Sequence, residues 1–517
     1  MLSSEVAPSP SSPPREPVAL ELLDLPDSLL LDLLLQLPAA DVLSCRSSCT
    51  RICALASDDA VWAPLCLQQF GLTELKTPPL SCDVDGRPCP SYMIAAREWM
   101  RMVASLSLDR FRERDGTLRT LAPLTFAAAD IWAKLEHWCA LNLPEVGSTF
   151  SGPVAQETWD SFQQEVLGME DADSMVRTLL PLRLLTAFHD GQHMAYDLLV
   201  AVPSGAIQPT ESLAAMSEEM DDHVLNRQRS LGLLGGYSAY DTCVSTRLFP
   251  LRLMAGWTKV LRQRIPFEEN HVVLGASFDL TKHINLDLLS GDVVITGLVF
   301  ETPVKGHPSS WRDDGQTVPL LSWLGEFAKR LTAGEFGEAE LVPLSPETRG
   351  ITLLPQIGPR SATAVTRGIE VKASAVHAHE QDFVIYSIRI RLLRPHEPGY
   401  QSPSQRGFET AQLQSRHWVI KKSGHPPQSV FGEGVVGKYP LLMPDGWRDD
   451  EINRSGHVEE GAHCTGTFVY QSRCEPRDSF EGELIFVPGS LNAPTGAPFE
   501  VTVAQFSLAR SEDEWAF

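Results

Sequence analysis

The apolar residues of this chain follow two different periods, and the change from one to the other constrains the fold most. Near the N-terminus, leucines recur at three- and four-residue spacing through Leu29, Leu33 and Leu37, which is the period of an amphipathic helix. From Val365 onward apolar and polar residues alternate, as in the run from Val384 to Leu392, which is the period of a half-buried strand. The two periods predict separate helical and β units, and 517 residues correspond to about three to four domains.

The helical pattern covers residues 19–70 and follows a Ser/Pro-rich stretch, residues 1–18, which we expect to be a disordered tail. Leu25-Pro26 opens a leucine-rich helix with Asp27 as its cap, and Asp41 caps a second helix. So small a unit cannot bury all of its large apolar side chains, and the exposed remainder predicts a surface for a protein partner. The alternative is a generic helical hairpin whose leucines form its own core.

The order of these residues resembles an F-box. The matching pattern runs from Leu25-Pro26 through the leucine stripe to Asp41-Val42-Leu43 and Trp62, although Ser48 or Cys49 replaces the usual valine before the third helix. Members of that family dock on the Skp-type adaptor of cullin-based ubiquitin ligases, so the resemblance implies this adaptor, and through it a cullin, as partners. It assigns the following residues to adaptor binding: Leu25, Pro26, Leu29, Leu30, Leu33, Leu34, Leu37, Leu43 and Trp62.

The middle of the chain mixes helical and strand patterns. Residues 71–120 are expected to form a helical extension and linker, and residues 125–345 an α/β domain. Its best-defined elements are a helix from Leu320 to Leu331 and strands at His193 to Val202 and His271 to Phe278. Four blocks resemble the SUKH superfamily, which implies a protein-binding fold without catalytic activity: Phe188 to Gln192, Gly232 to Tyr237, Val273 to Ser277, and Trp323-Leu324.

Residues 360–511 contain about seven short strands separated by Gly/Pro turns, which predicts an all-β sandwich, and residues 512–517 a short tail. The blocks Ser415 to Ile420, Gly432 to Pro440 and Phe486 to Gly489 resemble the ApaG domain, which implies an immunoglobulin/fibronectin-like sandwich. An insert from Met443 to Gly461 is expected to be a solvated loop. The order of F-box, SUKH-like and ApaG units resembles the plant and algal Skp-interacting class of F-box proteins.

Charge and composition exclude several functional classes. Asp and Glu number 66 against 43 Lys and Arg, a net charge of −23, which argues against binding to nucleic-acid backbones or anionic lipid. Between Ser151 and Leu225 thirteen acidic residues accompany only two arginines, which would suit a basic target if they share a face. A solvated acidic loop from Ser217 to Asp222 is the other interpretation. No membrane span, secretory signal or disulfide framework is visible, so we expect the cytoplasm and/or the nucleus.

Motifs with possible chemistry are few. Gly432, Gly434 and Gly437 spell GxGxxG, but Pro440 and the β-rich context favour a glycine-dense turn, with an anion-binding backbone nest as the alternative. The run from His189 to His193 resembles a zinc-binding helix motif, but its central glycine favours a turn, so no metal and no cofactor are expected. A catalytic cysteine that forms a thioester with ubiquitin stays an alternative, although no cysteine lies close in sequence to both a histidine and an acidic residue.

These features predict a non-catalytic, substrate-recognition subunit of a Skp–cullin–F-box ubiquitin ligase. The F-box would hold the adaptor, and the SUKH-like and ApaG domains would bind an unknown target protein. The alternative is a ligand- or phosphate-sensing scaffold acting through the ApaG domain, suggested by Arg416, Lys421, Lys422 and Lys438 near the glycine turn.

Overall fold

The computed structural model divides the chain into two compact units, Met1–Pro78 with Gly86–Ala104 and Arg112–Pro123, and the remainder up to Phe517. The predicted N-terminal tail, the strand predicted after His193 and most of the acidic segment lie outside the described residues. The structure describes residues 22–79, 85–167, 178–193, 227, 229–240, 242–263, 269–297, 303–308, 318–341, 346–448, 450–452, 458–459, 461–510 and 514–517.

The first unit is helical. After a short 3₁₀ turn at Leu22–Asp24 it contains α1 (Asp27–Leu35), α2 (Ala39–Cys45), α3 (Thr50–Leu55), α4 (Asp59–Phe70) and α5 (Tyr92–Ser105). Proline precedes both α1 and α2, so Asp27 and Asp41 lie within the first turn and neither is the cap that the sequence predicted. There each carboxylate favours the helix through the positive end of its dipole.

The central part of the second unit combines helices with one mixed sheet. The helices are α6 (Leu121–Asn142), α7 (Pro144–Gly147), α8 (Gln156–Leu167), α9 (Leu180–Thr186), α10 (Leu251–Arg262) and α11 (Pro319–Thr332). The strands are β1 (Gly236–Ala239), β2 (Thr242–Leu248), β3 (His271–Ser277), β4 (Lys282–Asp287), β5 (Val293–Gly297), β6 (Val304–Lys305), β7 (Gly337–Glu340) and β8 (Arg349–Thr352). Helix α11 and strand β3 confirm the predicted helix from Leu320 and strand from His271.

The central sheet has the strand order β6-β5-β4-β3-β2-β1-β8-β7. Strands β1 to β6 form a continuous antiparallel meander, whereas β8 pairs in parallel with β1 through Gly236 and Thr352. Helix α11 packs its apolar face inward, with Trp323 and Phe327 buried. This arrangement agrees with the predicted mixture of helices and apolar strands.

The C-terminal part is a sandwich of two antiparallel sheets. The strands of this part are β9 (Ser361–Thr366), β10 (Ile369–Ala378), β11 (Phe383–Leu392), β12 (Ala411–Lys421), β13 (Gln428–Glu433), β14 (Leu441–Met443), β15 (Gly446–Arg448), β16 (Glu451–Ile452), β17 (Val458–Glu459), β18 (His463–Thr465), β19 (Phe468–Cys474), β20 (Ser479–Pro488) and β21 (Phe499–Ser507), with a short helix α12 (Pro403–Arg406) before β12. One sheet of the sandwich has the order β19-β11-β10-β9, and the other β18-β15-β14-β12-β20-β21 with β13 beside β12. Strands β16 and β17 form a separate antiparallel pair.

Apolar side chains from both sheets meet in one core that includes Ile388, Trp418 and Phe480. The alternation read from the sequence therefore corresponds to one face of each sheet. The insert from Met443 onward is not simply a solvated loop, since β15 pairs with β14 and places Trp447 in the core. The charged residues around this tryptophan concealed its burial from the sequence pattern.

The sandwich and the central sheet contact each other within the second unit. Tyr240 Oη lies 3.2 Å from Ser472 Oγ, and Ser238 hydrogen-bonds to Gln471. The last residues, which the sequence assigns to a tail, are packed against α11, because Trp323 Nε1 donates to the Ala516 carbonyl at 2.7 Å. Across the part of the chain that the structure describes, no helix combines the length and the apolar character required to cross a membrane.

Candidate functional site

Some of the residues predicted to bind the adaptor are exposed, and others are buried. Leu29 and Leu33 lie one turn apart on α1 and are 48% and 46% exposed. Leu22 and Leu23, which the sequence analysis did not select, precede them and are 58% and 47% exposed. Exposed leucines at such density are typical of a contact surface for another protein. We call Leu22, Leu23, Leu29 and Leu33 the leucine patch.

Three of the predicted contact residues are instead buried inside the helical module. Leu30 and Leu34 are 2% and 5% exposed and occupy a neighbouring face of α1, and Trp62 is fully buried. The Trp62 indole donates a hydrogen bond to the Ala56 carbonyl at 2.8 Å. These three side chains therefore belong to the core of the helical module and not to its exposed surface. Pro26 is exposed, while Leu25, Leu37 and Leu43 are partly buried.

Arg51 of α3 fixes the segment that carries the leucine patch. Its guanidinium donates to Asp27 Oδ1 at 2.6 and 2.8 Å, to the Leu23 carbonyl at 2.6 Å and to the Leu25 carbonyl at 2.7 Å. The Arg51 side chain thereby holds Asp27 at the start of α1 and the carbonyl groups of Leu23 and Leu25. These contacts fix the short segment in which Leu22 and Leu23 are exposed. The link spans more than twenty residues, so no local sequence pattern could indicate it.

The GxGxxG sequence begins in the last two residues of β13 and continues into a tight turn. Val436 and Gly437 both have positive φ, 49° and 77°, and Val435 and Lys438 exchange two main-chain hydrogen bonds of 2.9 Å. Two consecutive positive φ values are typical of a type I′ turn, in which glycine is favoured at no steric cost. The glycine-dense turn that the sequence favoured is therefore present.

Main-chain contacts at this turn reduce its capacity for an anion. The amide of Gly434 donates to the Gln414 carbonyl at 2.9 Å, and the amides of Val435 and Lys438 are used within the turn. Arg416 points its guanidinium at carbonyls, with Nη1 2.5 Å from the Gly434 oxygen. It also covers Gly432, where an added Cβ would lie 2.9 Å from the guanidinium carbon. Gly432, Gly434 and Gly437 thus shape the turn without presenting three convergent amides.

The segment from His189 to His193 connects several elements of the central domain. The His189 ring contacts Glu136 and the Ser151 carbonyl, and Asp190 Oδ1 accepts a 2.8 Å hydrogen bond from the first amide of α10. Burial raises the pKa of Asp190 to about 6. Gly191 has φ +74° and passes so close to Phe249 that a Cβ would lie 2.5 Å from its carbonyl oxygen. The run is a structural turn, as its glycine predicted.

Two buried cysteines lack the features of a ligase nucleophile. Cys66 and Cys139 are fully enclosed, and burial raises the pKa of each thiol to about 12. The nucleophilic form of cysteine is the thiolate, which such a pKa suppresses at neutral pH.

Models of two known families match separate segments of the chain. A model of F-box-like sequences matches residues 22–68, and a model of the ApaG domain matches residues 373–447. The chain carries an F-box-like domain and an ApaG domain. The F-box-like domain includes the leucine patch, Arg51 and all nine residues predicted to serve adaptor binding. The ApaG domain includes the three glycines of the turn.

Whole-chain comparison supports the same assignment. F-box protein SKIP16 of Arabidopsis thaliana is 28% identical over 482 residues, which cover 89% of this chain and 91% of that protein. Protein ApaG of Anaeromyxobacter dehalogenans is 29% identical over 153 residues, 28% of this chain and 94% of that protein. Protein ApaG of a Bradyrhizobium species is 58% identical over 91 residues, 17% of this chain and 65% of that protein. None of these matches indicates a catalytic family.

Proposed function

We propose that this protein is the substrate-recognition subunit of a Skp–cullin–F-box ubiquitin ligase. The observation that carries the proposal is the leucine patch, which leaves four large apolar side chains about half exposed on an F-box-like domain. Hydrophobic side chains on a helical module are typical anchors for a partner helix or groove. The Skp-type adaptor is the partner that the F-box resemblance implies, and the cullin is reached through it.

The remainder of the chain supplies the target-binding part in this proposal. We assign residues 125–345 to a SUKH-like domain and residues 360–511 to the ApaG sandwich, both acting as binding domains. Ubiquitin transfer would then depend on proximity, because holding a target near a loaded enzyme raises its effective concentration without a catalytic group of its own. The raised thiol pKa values of Cys66 and Cys139 argue against these two cysteines as nucleophiles.

Affinity purification with the proteasome inhibited tests whether the leucine patch binds the adaptor while the remainder of the chain binds the target. The wild-type chain is compared with Leu29→Asp/Leu33→Asp, which places charges in the leucine patch, and with Leu289→Asp, a matched change at an exposed leucine of the central domain. We expect the double variant to lose the adaptor and cullin while it retains the target proteins. The Leu289→Asp variant should retain both groups. Recovery of the adaptor with the double variant at wild-type level would contradict the proposal.

A further inference from the structure

Two histidines and a glutamate that are distant in sequence meet beside a cavity in the second unit. His377 lies near the end of β10 and His379 directly after it, while Glu514 comes from the C-terminal segment. One ring nitrogen of each histidine and one oxygen of Glu514 all lie within 4.8 Å of one another. His379 Nε2 is 3.2 Å from Glu514 Oε1, and the two imidazole rings are 4.3 Å apart.

The two imidazoles are buried without the hydrogen bonds that buried rings normally make. The side chains of His377 and His379 are only 1% and 7% exposed. Among the residues that the structure describes, no hydrogen-bond partner reaches either ring nitrogen of His377 or Nδ1 of His379. Asp382 Oδ1 lies 3.3 Å from His377 Nε2, at ion-pair distance. Buried polar atoms without hydrogen bonds call for an explanation, and a bound ion is one of the recognised ones.

The chemistry of the three ligand atoms fits zinc. Two imidazole nitrogens and one carboxylate oxygen form a set that zinc uses when it keeps a fourth position open. Zinc–ligand bonds of about 2.0–2.1 Å place tetrahedral ligand atoms roughly 3.4 Å apart, so the three side chains must close by ~1 Å. Arg360 holds the second oxygen of Glu514 at 2.6 Å, and such outer contacts orient a ligating carboxylate.

A cavity of about 300 Å³ adjoins the cluster, and its lining includes His377, His379 and Glu514 together with Phe336, Arg360 and Trp515. The fourth coordination position would therefore face a space large enough for water or a small ligand group. A bound ion would also add a link between β10 of the sandwich and the C-terminal segment, which Arg360, Trp323 and Lys282 already hold.

We propose that His377, His379 and Glu514 form a zinc-binding site whose fourth position opens into this cavity. This site is independent of the leucine patch and of any partner that the patch binds. The sequence analysis expected no metal. Histidines two apart on a strand face the same side, but Glu514 is too far along the chain for a sequence motif to include it.

Zinc titration of the full-length protein after chelator treatment tests the site. Competition against a chromophoric chelator measures affinity and stoichiometry for the wild type, His377→Gln, His379→Gln and Glu514→Gln. His425→Gln, at an exposed histidine outside the cluster, is the matched control. We expect one tightly bound zinc in the wild type and the control, and at least a tenfold loss of affinity in each cluster variant. Equal affinity in all five proteins would overturn the proposal, because zinc would then bind elsewhere.

Two measurements keep the test independent of variant folding. Circular dichroism verifies that each variant is folded before it is titrated. The wild type alone is also titrated with Co²⁺, whose intense visible bands report a tetrahedral site, and heated with and without Zn²⁺. Visible bands and a higher melting temperature with zinc support the site. A wild-type protein that shows neither overturns it, whatever the variants do.

Discussion

Lys282 and Glu380 form a buried ion pair in which Nζ and Oε2 lie 3.4 Å apart. Lys282 belongs to β4 of the central sheet and Glu380 to the turn between β10 and β11 of the sandwich. Their side chains are 1% and 0% exposed, and burial lowers the pKa of Lys282 and raises the pKa of Glu380. Lys282 Nζ also donates to the Phe517 carbonyl, whereas Glu380 has Lys282 as its ion-pair partner, so this lysine couples both the sandwich and the C-terminal residue to the central sheet.

Removal of one member of this pair should be far more costly than removal of both. Lys282→Met leaves a buried carboxyl group without its cation, and we expect a loss of about 3–5 kcal/mol in the free energy of unfolding. Lys282→Met/Glu380→Leu removes both charged groups and should recover most of that loss. Urea unfolding of the wild type, both single variants and the double variant gives the coupling energy. A double variant as unstable as the sum of the single variants would contradict the coupling.

Arg51→Ala should affect partner binding more than stability. The Arg51–Asp27 pair is exposed on both sides, and such pairs contribute about 0–1 kcal/mol to stability. The substitution also removes the hydrogen bonds that hold Leu23 and Leu25, so the leucine patch loses its fixed geometry. We expect an adaptor affinity roughly tenfold lower, or about 1.4 kcal/mol, at nearly unchanged stability. Arg101→Ala, which removes an exposed arginine paired with Glu98 on α5, is the control and should change neither.

The ionisation of Asp292 should make the free energy of unfolding depend on pH in the acid range. This buried carboxylate lies 3.0 Å from His307 Nε2 and 2.7 Å from Lys305 Nζ. Burial opposes ionisation, but the hydrogen bonds from His307 and Lys305 outweigh it and hold the pKa of Asp292 below its ordinary value. A lowered folded-state pKa gives stabilisation that is complete above the unfolded pKa of about 3.9 and is lost as pH falls below it.

Asp292→Asn tests this dependence. At pH 7 the variant should be about 1.5–3 kcal/mol less stable than the wild type, the range for hydrogen bonds to a charged group. The difference should shrink as pH falls from about 5 through the unfolded pKa of about 3.9, because the carboxyl group of the unfolded wild-type chain then takes up a proton, whereas the folded carboxylate, with its lowered pKa, stays ionised. Unfolding free energies measured along this pH series check the prediction, and a constant difference would argue against it.

The long helices and strands could be predicted from the sequence, because an element with one buried face carries its apolar residues at a regular spacing. The leucines from Leu320 to Leu331 correspond to α11, and the alternation from Val384 to Leu392 corresponds to β11. Trp447 was assigned to a loop because its burial depends on β15 pairing with β14, which its charged neighbours do not indicate. The burial of Trp447 therefore depends on a tertiary contact between strands.

The candidate sites were only partly visible in the sequence for a related reason. The leucine spacing selected α1, but only the structure separates exposed Leu29 and Leu33 from buried Leu30 and Leu34. The histidine pair at 377 and 379 becomes a candidate site only when the C-terminal segment brings Glu514 to it. Contacts between residues so far apart depend on the complete fold.

Calorimetric titration of a purified Skp-type adaptor into the full-length chain tests the central claim most directly. We predict saturable one-to-one binding to the wild type and to Leu289→Asp. Leu29→Asp/Leu33→Asp should bind at least 100-fold more weakly, about 2.7 kcal/mol, because both charges would have to be desolvated in the contact. Both leucines are about half exposed, so the double variant should keep its helical circular dichroism spectrum. Wild-type affinity in a folded double variant, or no binding to the wild type, would contradict the assignment of the leucine patch as the adaptor-binding surface.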